Sequence, residues 1–244
     1  MNWSWNWFFR SILIGPIIRL LFPLTIEGLE KLPKDRPAIL AIGPHSTELE
    51  SGIIASHLWK LDARFYIKAS YVRGRSFVAT FMRLSGQIPI DRLDGGAMDE
   101  AIDMGVTELI TGRSLLVYPE GTRYYDGLLH PGGPVVTRTA YRAYLALRKL
   151  HREPADVYPV GSQGFLRVQP EGSKFPRPFV RAKLVIGDPM VVRDYMPPKA
   201  LRVLMNERAI ETRTSGALRK AMMDNIAANA ETSHSTFRSE IKES

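Results

Sequence analysis

The sequence predicts an α/β fold. Three observations carry this reading: short apolar segments rich in β-branched residues, longer stretches of helical character alternating with them, and no repeat or linker anywhere in the 244 residues. A chain of this length with 45% hydrophobic residues suits one large core better than two small ones.

Taken in order, strands are expected at "LTIEG" (24–28), "PAILAIG" (37–43), "ARFYIKA" (63–69), "QIPID" (87–91), "SLLVYPE" (114–120), "DVYPVG" (156–161) and "FVRAKLVIG" (179–187). Between them, 47–60, 74–85, 97–112 and 133–149 read as helices, the last opening after "HPGGP". "PEGSKFPRP" (170–178) is a Pro-rich loop, and the tail from Lys199 is polar with scattered Leu, Met and Ala, helical to about Ala230 and frayed beyond. The organisation expected is therefore an N-terminal segment (1–23), a catalytic-sized α/β domain (24–198) and a helical C-terminal extension (199–244).

The chain has no cysteine, which removes disulfides, thiolate nucleophiles and Cys-based metal sites. A net charge of +8 favours an anionic partner: a membrane surface, nucleic acid or a phosphorylated substrate. No long basic run and no zinc-finger or RNP pattern accompanies that charge, so nucleic acid is not the expected partner. "NWSWNWFF" sets Trp3, Trp5, Trp7, Phe8 and Phe9 directly before "RSILIGPIIRLLFPL", and amphipathic aromatics favour the headgroup level of a bilayer. Arg10, Arg19, Pro16 and Pro23 interrupt the apolar stretch, so it falls short of the roughly 20 residues of a full span. A signal peptide fits poorly, since no early positive charge or small-residue cleavage site is present. The segment reads as an interfacial, monotopic helix, with a helix packed on its own domain as the alternative.

Three expected strands end in polar clusters: "GPHSTELE", "GQIPIDR" and "VYPEGTR". Ligands of open α/β sheets sit beyond strand ends, so these clusters are candidates for one site. In the last, Pro119 and Gly121 turn the chain and aim Glu120, Thr122 and Arg123 off the sheet; turns of this kind direct N–H groups at anions, and arginine adds a bidentate fork. Lys68 and Arg92 place further cations at neighbouring strand ends. Each also has a plainer reading: Arg92 paired with Asp91 or Asp94, Lys68 on a solvated surface, Glu120 and Arg123 as a local pair. The G-x-S-x-G, G-x-x-x-x-G-K-[ST], H-E-x-x-H and G-x-G-x-x-G motifs are all missing, and with them the usual support for serine hydrolysis, nucleotide cradling and zinc proteolysis.

Of the histidines, His57, His130, His151 and His234 offer no acidic partner at a suggestive spacing, although His130 in "DGLLHPGG" lies near the third cluster. His45 is the best base. Pro44 allows His45 to lie in the turn ahead of the helix and fold back toward Glu50, whose carboxylate would fix the imidazole tautomer and leave the other ring nitrogen free to take a proton. Thr47 and Glu50 also fit the Ser/Thr-x-x-Glu capping box, so Glu50 has a purely structural role available.

With these blocks on the page, the sequence resembles the phospholipid/glycerol acyltransferase family, in particular its 1-acylglycerol-3-phosphate acyltransferase branch, across roughly residues 24–190. "HSTELE" is similar to the family's His-x4-Asp block with Glu50 in place of Asp; "GQIPIDR" (86–92), "YPEGTR" (118–123) and "VYPVG" (157–161) follow in the family's order, and "IEGLEKLP" resembles its lead-in. The resemblance implies a single domain with a mixed central sheet flanked by helices. It implies acyl transfer from acyl-CoA or acyl-carrier protein to the free hydroxyl of a lysophospholipid, with His45 as base and Glu50 orienting it. Arg92, Glu120, Gly121, Thr122 and Arg123 would form the acceptor's phosphate site, Glu120 by holding the arginines, and Lys68 matches a basic position common in the family. No metal or organic cofactor is implied, and the protein would sit on the cytoplasmic face of a membrane. The sequence departs from the family at Pro44, where Asn is frequent, and at "RYYDGLLHPGGP" after the third block. A lyso-ornithine lipid or glycolipid acceptor, a catalytically idle lipid-binding relative and a membrane scaffold are the other readings open at this point.

Overall fold

The computed structural model describes residues 15–72, 77–91, 95–173 and 175–242. A helix, α1 (Gly15–Leu21), leads into strand β1 (Leu24–Glu27), followed by β2 (Ile39–Gly43), α2 (Glu50–His57), β3 (Arg64–Lys68), α3 (Phe77–Leu84), β4 (Ile88–Ile90), α4 (Gly95–Ile110) and β5 (Leu115–Val117). The second half contributes α5 (Val135–Lys149), β6 (Val157–Gln163), α6 (Phe165–Val168), β7 (Ala182–Ile186), α7 (Lys199–Arg202) and α8 (Glu207–Lys242). Every expected strand is present. Aromatic segments 1–14, with Trp3, Trp5, Trp7, Phe8 and Phe9, and Arg92 lie outside the described residues.

The strands form one seven-stranded sheet in the order β1-β7-β6-β2-β5-β3-β4. β6, β2, β5, β3 and β4 are mutually parallel, β7 runs antiparallel to β6, and β1 follows β7, so the sheet is mixed. β2 sits at its centre and is buried along its whole length, which is why "ILAIG" reads as an unbroken apolar run rather than an alternation. Successive residues of β2 serve opposite faces. Ile39 and Ala41 join Leu115, Val117, Ala140 and Leu147 on one side; Leu40 and Ile42 join Ile53, Ile54, Leu116 and Tyr158 on the other. Each such fully buried aliphatic side chain contributes about 1.5–3 kcal/mol.

Three differences from expectation bear on the site and its support. Helix α2 starts at Glu50 rather than 47, because residues 46 and 47 turn their N–H groups onto the Glu50 carboxylate. α6 was not expected; it is a single turn following Gly164, whose φ of 83° takes the chain out of β6. α8 continues past Ala230 to Lys242. Its Leu218, Met222 and Ile226 recur at helical spacing and are fully buried in the first core, so α8 covers the sheet as part of the domain. The crossing of α8 over β6 is close: a Cβ on Gly161 would lie 2.4 Å from the Ala230 nitrogen. Asn229 Nδ2 donates to the Pro159 carbonyl at 2.9 Å beside this crossing.

α1 docks on α2, with Arg19 Nη1 donating to the Ser56 carbonyl at 2.8 Å and Ile18 and Leu21 packing on the second core. Among the described residues no helix is long and apolar enough to cross a membrane.

Candidate active site

The parallel strands β6, β2, β5, β3 and β4 all finish on one edge of the sheet, and the polar clusters lie there. His45 follows β2, Glu120 follows the adjacent β5, Ser162 lies near the end of β6, and Lys68 ends β3. The topology thus gathers residues far apart in sequence at one edge, with Glu120, Arg123 and His130 carried on the long connection from β5 to α5.

His45 occupies the turn between β2 and α2, and its Nδ1 lies 3.3 Å from Glu50 Oε2. With the proton on Nδ1, the ring donates to Glu50 and leaves Nε2 free to accept one. The imidazole stacks on Tyr118 with ring centroids 3.7 Å apart and an interplanar angle of 18°, which fixes the remaining rotation. Burial, with the Glu50 carboxylate beside it, pushes the Tyr118 phenol well above its ordinary pKa, so it is a neutral wall.

Glu50 is 0% exposed, and a buried carboxylate survives only if its oxygens are hydrogen-bonded. Oε2 accepts the Ser46 N–H at 2.9 Å and the Thr47 N–H at 3.4 Å, and Oε1 accepts from Ser162 Oγ at 3.0 Å. The same Ser162 hydroxyl lies 2.7 Å from the Pro44 carbonyl, so its single proton is shared between two acceptors. Thr47 Oγ1 accepts the Glu50 N–H at 3.3 Å, so the two residues bond reciprocally as a capping box would, but in the turn ahead of α2, whose N-cap is Leu49. Glu50 therefore ties down the turn ahead of α2 and holds His45 with the same carboxylate.

Glu120 joins the turns after β2 and β5. Its Oε2 accepts the His45 N–H at 2.6 Å and its Oε1 accepts the His130 N–H at 2.8 Å; Tyr124 N–H in turn donates to the His45 carbonyl at 3.0 Å. Burial raises the Glu120 carboxyl pKa, and these two N–H donors oppose the shift. Among the described residues both Glu120 oxygens accept from backbone N–H groups, so the expectation that it holds the arginines is not met at Arg123, while Arg92 lies outside the described residues. Arg123 instead pairs with Glu48, Nη1 to Oε1 at 2.7 Å. Burial works to lower the Arg123 pKa, but Tyr71, Glu48 and Tyr125 outweigh it and the net shift is upward. Gly121 shapes the turn, with φ at 72° and its N–H bound to the Tyr118 carbonyl at 3.0 Å, so that donor does not face outward toward an anion. Thr122 and Lys68 are exposed, and Lys68 has no carboxylate partner among the described residues. No group of three or more His, Asp or Glu side chains is placed to hold a metal among the described residues.

Sequence reasoning missed Ser162, Tyr118 and Glu48. Only Tyr118 carried a signal, as the bulky residue before the Pro-Glu-Gly turn. It also passed over the partner of His130: Asp126 Oδ2 lies 2.8 Å from His130 Nε2, and the ring stacks on Tyr124 at 3.6 Å. The His130 N–H on Glu120 contacts the same carboxylate that holds the His45 backbone.

A half-buried histidine, oriented by a buried carboxylate at the C-terminal edge of the parallel strands, has the geometry that general-base chemistry on a hydroxyl requires. Residues 23–163, more than half of the chain, match the model of the acyltransferase family, and the chain belongs to that family; it is an acyltransferase. Among solved structures it is similar to a 1-acyl-sn-glycerophosphate (LPA) acyltransferase, PlsC, from Thermotoga maritima, at a TM-score of 0.62 and 20% identity over 90% of this chain and 79% of that one. At that identity the likeness is one of fold. No curated protein sequence matches the chain.

Proposed function

We propose that this acyltransferase moves a fatty acyl group from acyl-CoA or acyl-carrier protein to the free hydroxyl of a lysophospholipid such as 1-acylglycerol-3-phosphate. The observation that carries the reading is the His45–Glu50 pair, with Nδ1 held at 3.3 Å and Nε2 left to accept a proton. In the reaction His45 Nε2 takes the acceptor's hydroxyl proton as its oxygen attacks the thioester carbonyl carbon. The new C–O bond forms, the C–S bond breaks as the tetrahedral intermediate collapses, and the proton passes from His45 to the departing thiolate. The Glu50 carboxylate stabilises the transient imidazolium. Arg123 and Lys68, with Arg92, supply the cationic side of the acceptor's phosphate site; Arg123 has five N–H donors, so its pairing with Glu48 leaves others for a phosphate. Glu120, Gly121 and Thr122 shape that site rather than contact the anion through Gly121's N–H. The thioester is a co-substrate and the chemistry uses no metal or organic cofactor. The enzyme acts as a monotopic protein on the cytoplasmic face of a membrane, where its acceptor lies.

The test is a lysolipid panel with acyl-CoA, reading thiol release and product mass. Acylation of a phosphate-bearing lysolipid is expected, with Arg123→Ala lowering kcat/KM for that acceptor by at least about tenfold, as for a lost charge-assisted contact. Equal loss on a phosphate-free acceptor would remove the phosphate assignment, and the absence of thioester consumption with every acceptor and donor would remove the reading itself.

A further inference from the structure

Helix α1 carries apolar residues on both sides. Ile18 and Leu21 pack on the core, yet Ile17 and Leu20 are 58% and 72% exposed, where a surface helix ordinarily places polar side chains. The segment beside it repeats the pattern. Phe179 N–H donates to the Leu21 carbonyl at 2.6 Å, and Ala182 N–H to the Pro23 carbonyl at 3.2 Å, so the end of the Pro-rich loop runs alongside α1. Phe175 and Phe179 are 81% and 67% exposed. Phe179 is also held at a φ of 63°, a region that a bulky residue seldom adopts. Val180, the next residue, packs inward on the second core. Folding alone gives no reason to hold two phenylalanines outward on one loop, one of them in an unfavourable backbone conformation.

Charge decides what covers them. Arg177 and Arg181, both exposed, alternate with the phenylalanines, and neither is paired with a carboxylate among the described residues. A two-fold contact with a second copy would set these guanidinium groups against their own equivalents. Anionic lipid phosphates meet them favourably while the acyl boundary takes the aromatic and aliphatic side chains. The loop is also tied to the catalytic turn: Gln169 Oε1 accepts the Leu49 N–H at 3.3 Å, one residue before Glu50, and Arg177 N–H donates to the Val168 carbonyl at 2.7 Å.

We infer that residues 175–181, with the outward face of α1, form a bilayer-docking platform in which Ile17, Leu20, Phe175 and Phe179 enter the interface and Arg177 and Arg181 engage anionic lipid phosphates. Its loop half, residues 175–181, is separate in sequence from the N-terminal segment 1–23 that contains α1. It holds the turn bearing His45 and Glu50 against the surface that carries the acceptor, and it rests on the proposed function only in taking that acceptor to be a membrane lipid.

Because the chain has no cysteine, Phe175→Cys gives a single attachment point for an environment-sensitive dye. On vesicles of phosphatidylglycerol and phosphatidylcholine the dye's emission is expected to shift to the blue and to be quenched by spin-labelled acyl chains. The same dye at Leu150→Cys, at the end of α5 on the other side of the sheet, is expected to keep its aqueous spectrum. Phe175→Ser with Phe179→Asn, asparagine being tolerant of positive φ, is expected to weaken vesicle co-sedimentation at least tenfold while thiol release with a monomeric short-chain lysolipid is unchanged. Arg177→Glu with Arg181→Glu is expected to abolish the preference for anionic over neutral vesicles. An aqueous spectrum at position 175 in vesicle-bound protein, or no vesicle binding at all, overturns the inference, as does a dimer that the double phenylalanine variant dissociates with vesicle binding intact. A protein that turns over no acceptor yet shows the blue shift keeps the platform and loses the proposed function.

Discussion

At Glu50 two roles share one carboxylate, and Glu50→Gln separates them. Glutamine keeps a carbonyl oxygen for the Ser46 N–H and turns its NH2 toward Ser162 Oγ, whose proton then goes to the Pro44 carbonyl. Stability is expected to change by less than about 1 kcal/mol, the scale of a helix cap. The neutral amide no longer supports an imidazolium, and kcat is expected to fall by about 100-fold or more, read by thiol release. Combining it with His45→Ala is expected to cost little beyond the worse single change, because the pair acts as a unit. Glu120→Gln behaves differently: an amide has one acceptor oxygen for two N–H donors, so the His45 or the His130 N–H is left unpaired at about 1–3 kcal/mol. Burial raises the Glu120 pKa above 4.5 in the folded protein, so the folded state holds this proton more tightly than the unfolded chain does. Its contribution is full below 4.5 and is lost as pH rises through the raised value. Urea unfolding across that interval is expected to show the wild-type advantage over Glu120→Gln shrinking with rising pH; an advantage that grows would reverse the assigned shift.

Among the elements, the crossing of β6 and α8 has the least tolerance. Gly161→Ala places a Cβ 2.4 Å from one backbone nitrogen and 2.6 Å from the Asn229 carbonyl carbon, and backbone cannot rotate away as a side-chain tip does. The helix must lift from the sheet, at a cost expected to be at least about 1–3 kcal/mol, the scale of overpacking. Ser162 follows this glycine and holds Glu50, so a displaced β6 also loosens the His45–Glu50 pair. Thermal melting and kcat should therefore fall together in Gly161→Ala, whereas Glu50→Gln moves kcat alone. A melting temperature within a degree of wild type would show that α8 is not held against β6.

Across the whole molecule, the two cores share one sheet, and α8 closes the first with Leu218, Met222 and Ile226. Arg138 and Arg142 add ion pairs joining Asp99 and Asp103 of α4 to Glu211 of α8 through α5. These pairs are partly exposed and contribute modestly, but they hold α8 in register with its neighbours. Hydrogen exchange is expected to protect α8 amides over residues 214–226 as strongly as those of β2, with one cooperative unfolding transition. Exchange of that stretch at a much lower free energy than β2 would make α8 a separable arm.

The central strands were legible because a sheet buried on both faces writes continuous apolar runs, as in "ILAIG", whereas β1 alternates between half-buried and exposed positions. The His45–Glu50 pair was legible because both residues belong to one turn and one chain reversal brings them together. The reciprocal Thr47–Glu50 bonds were legible for the same reason, although they lie in the turn ahead of α2 and not at its N-cap. What tertiary structure decided is what depends on distance along the chain: Ser162 meets Glu50 across a separation of 112 residues, and Glu120 meets the His45 N–H across 75. No local pattern encodes such partners: the Glu120 carboxylate, expected to hold the arginines, accepts from two backbone turns and not from Arg123. The direction of β7 and the burial of α8 belong to the same class. A polar helix with scattered apolar residues buries them only where a sheet face is open to receive them, and that opening exists only once the other strands have paired.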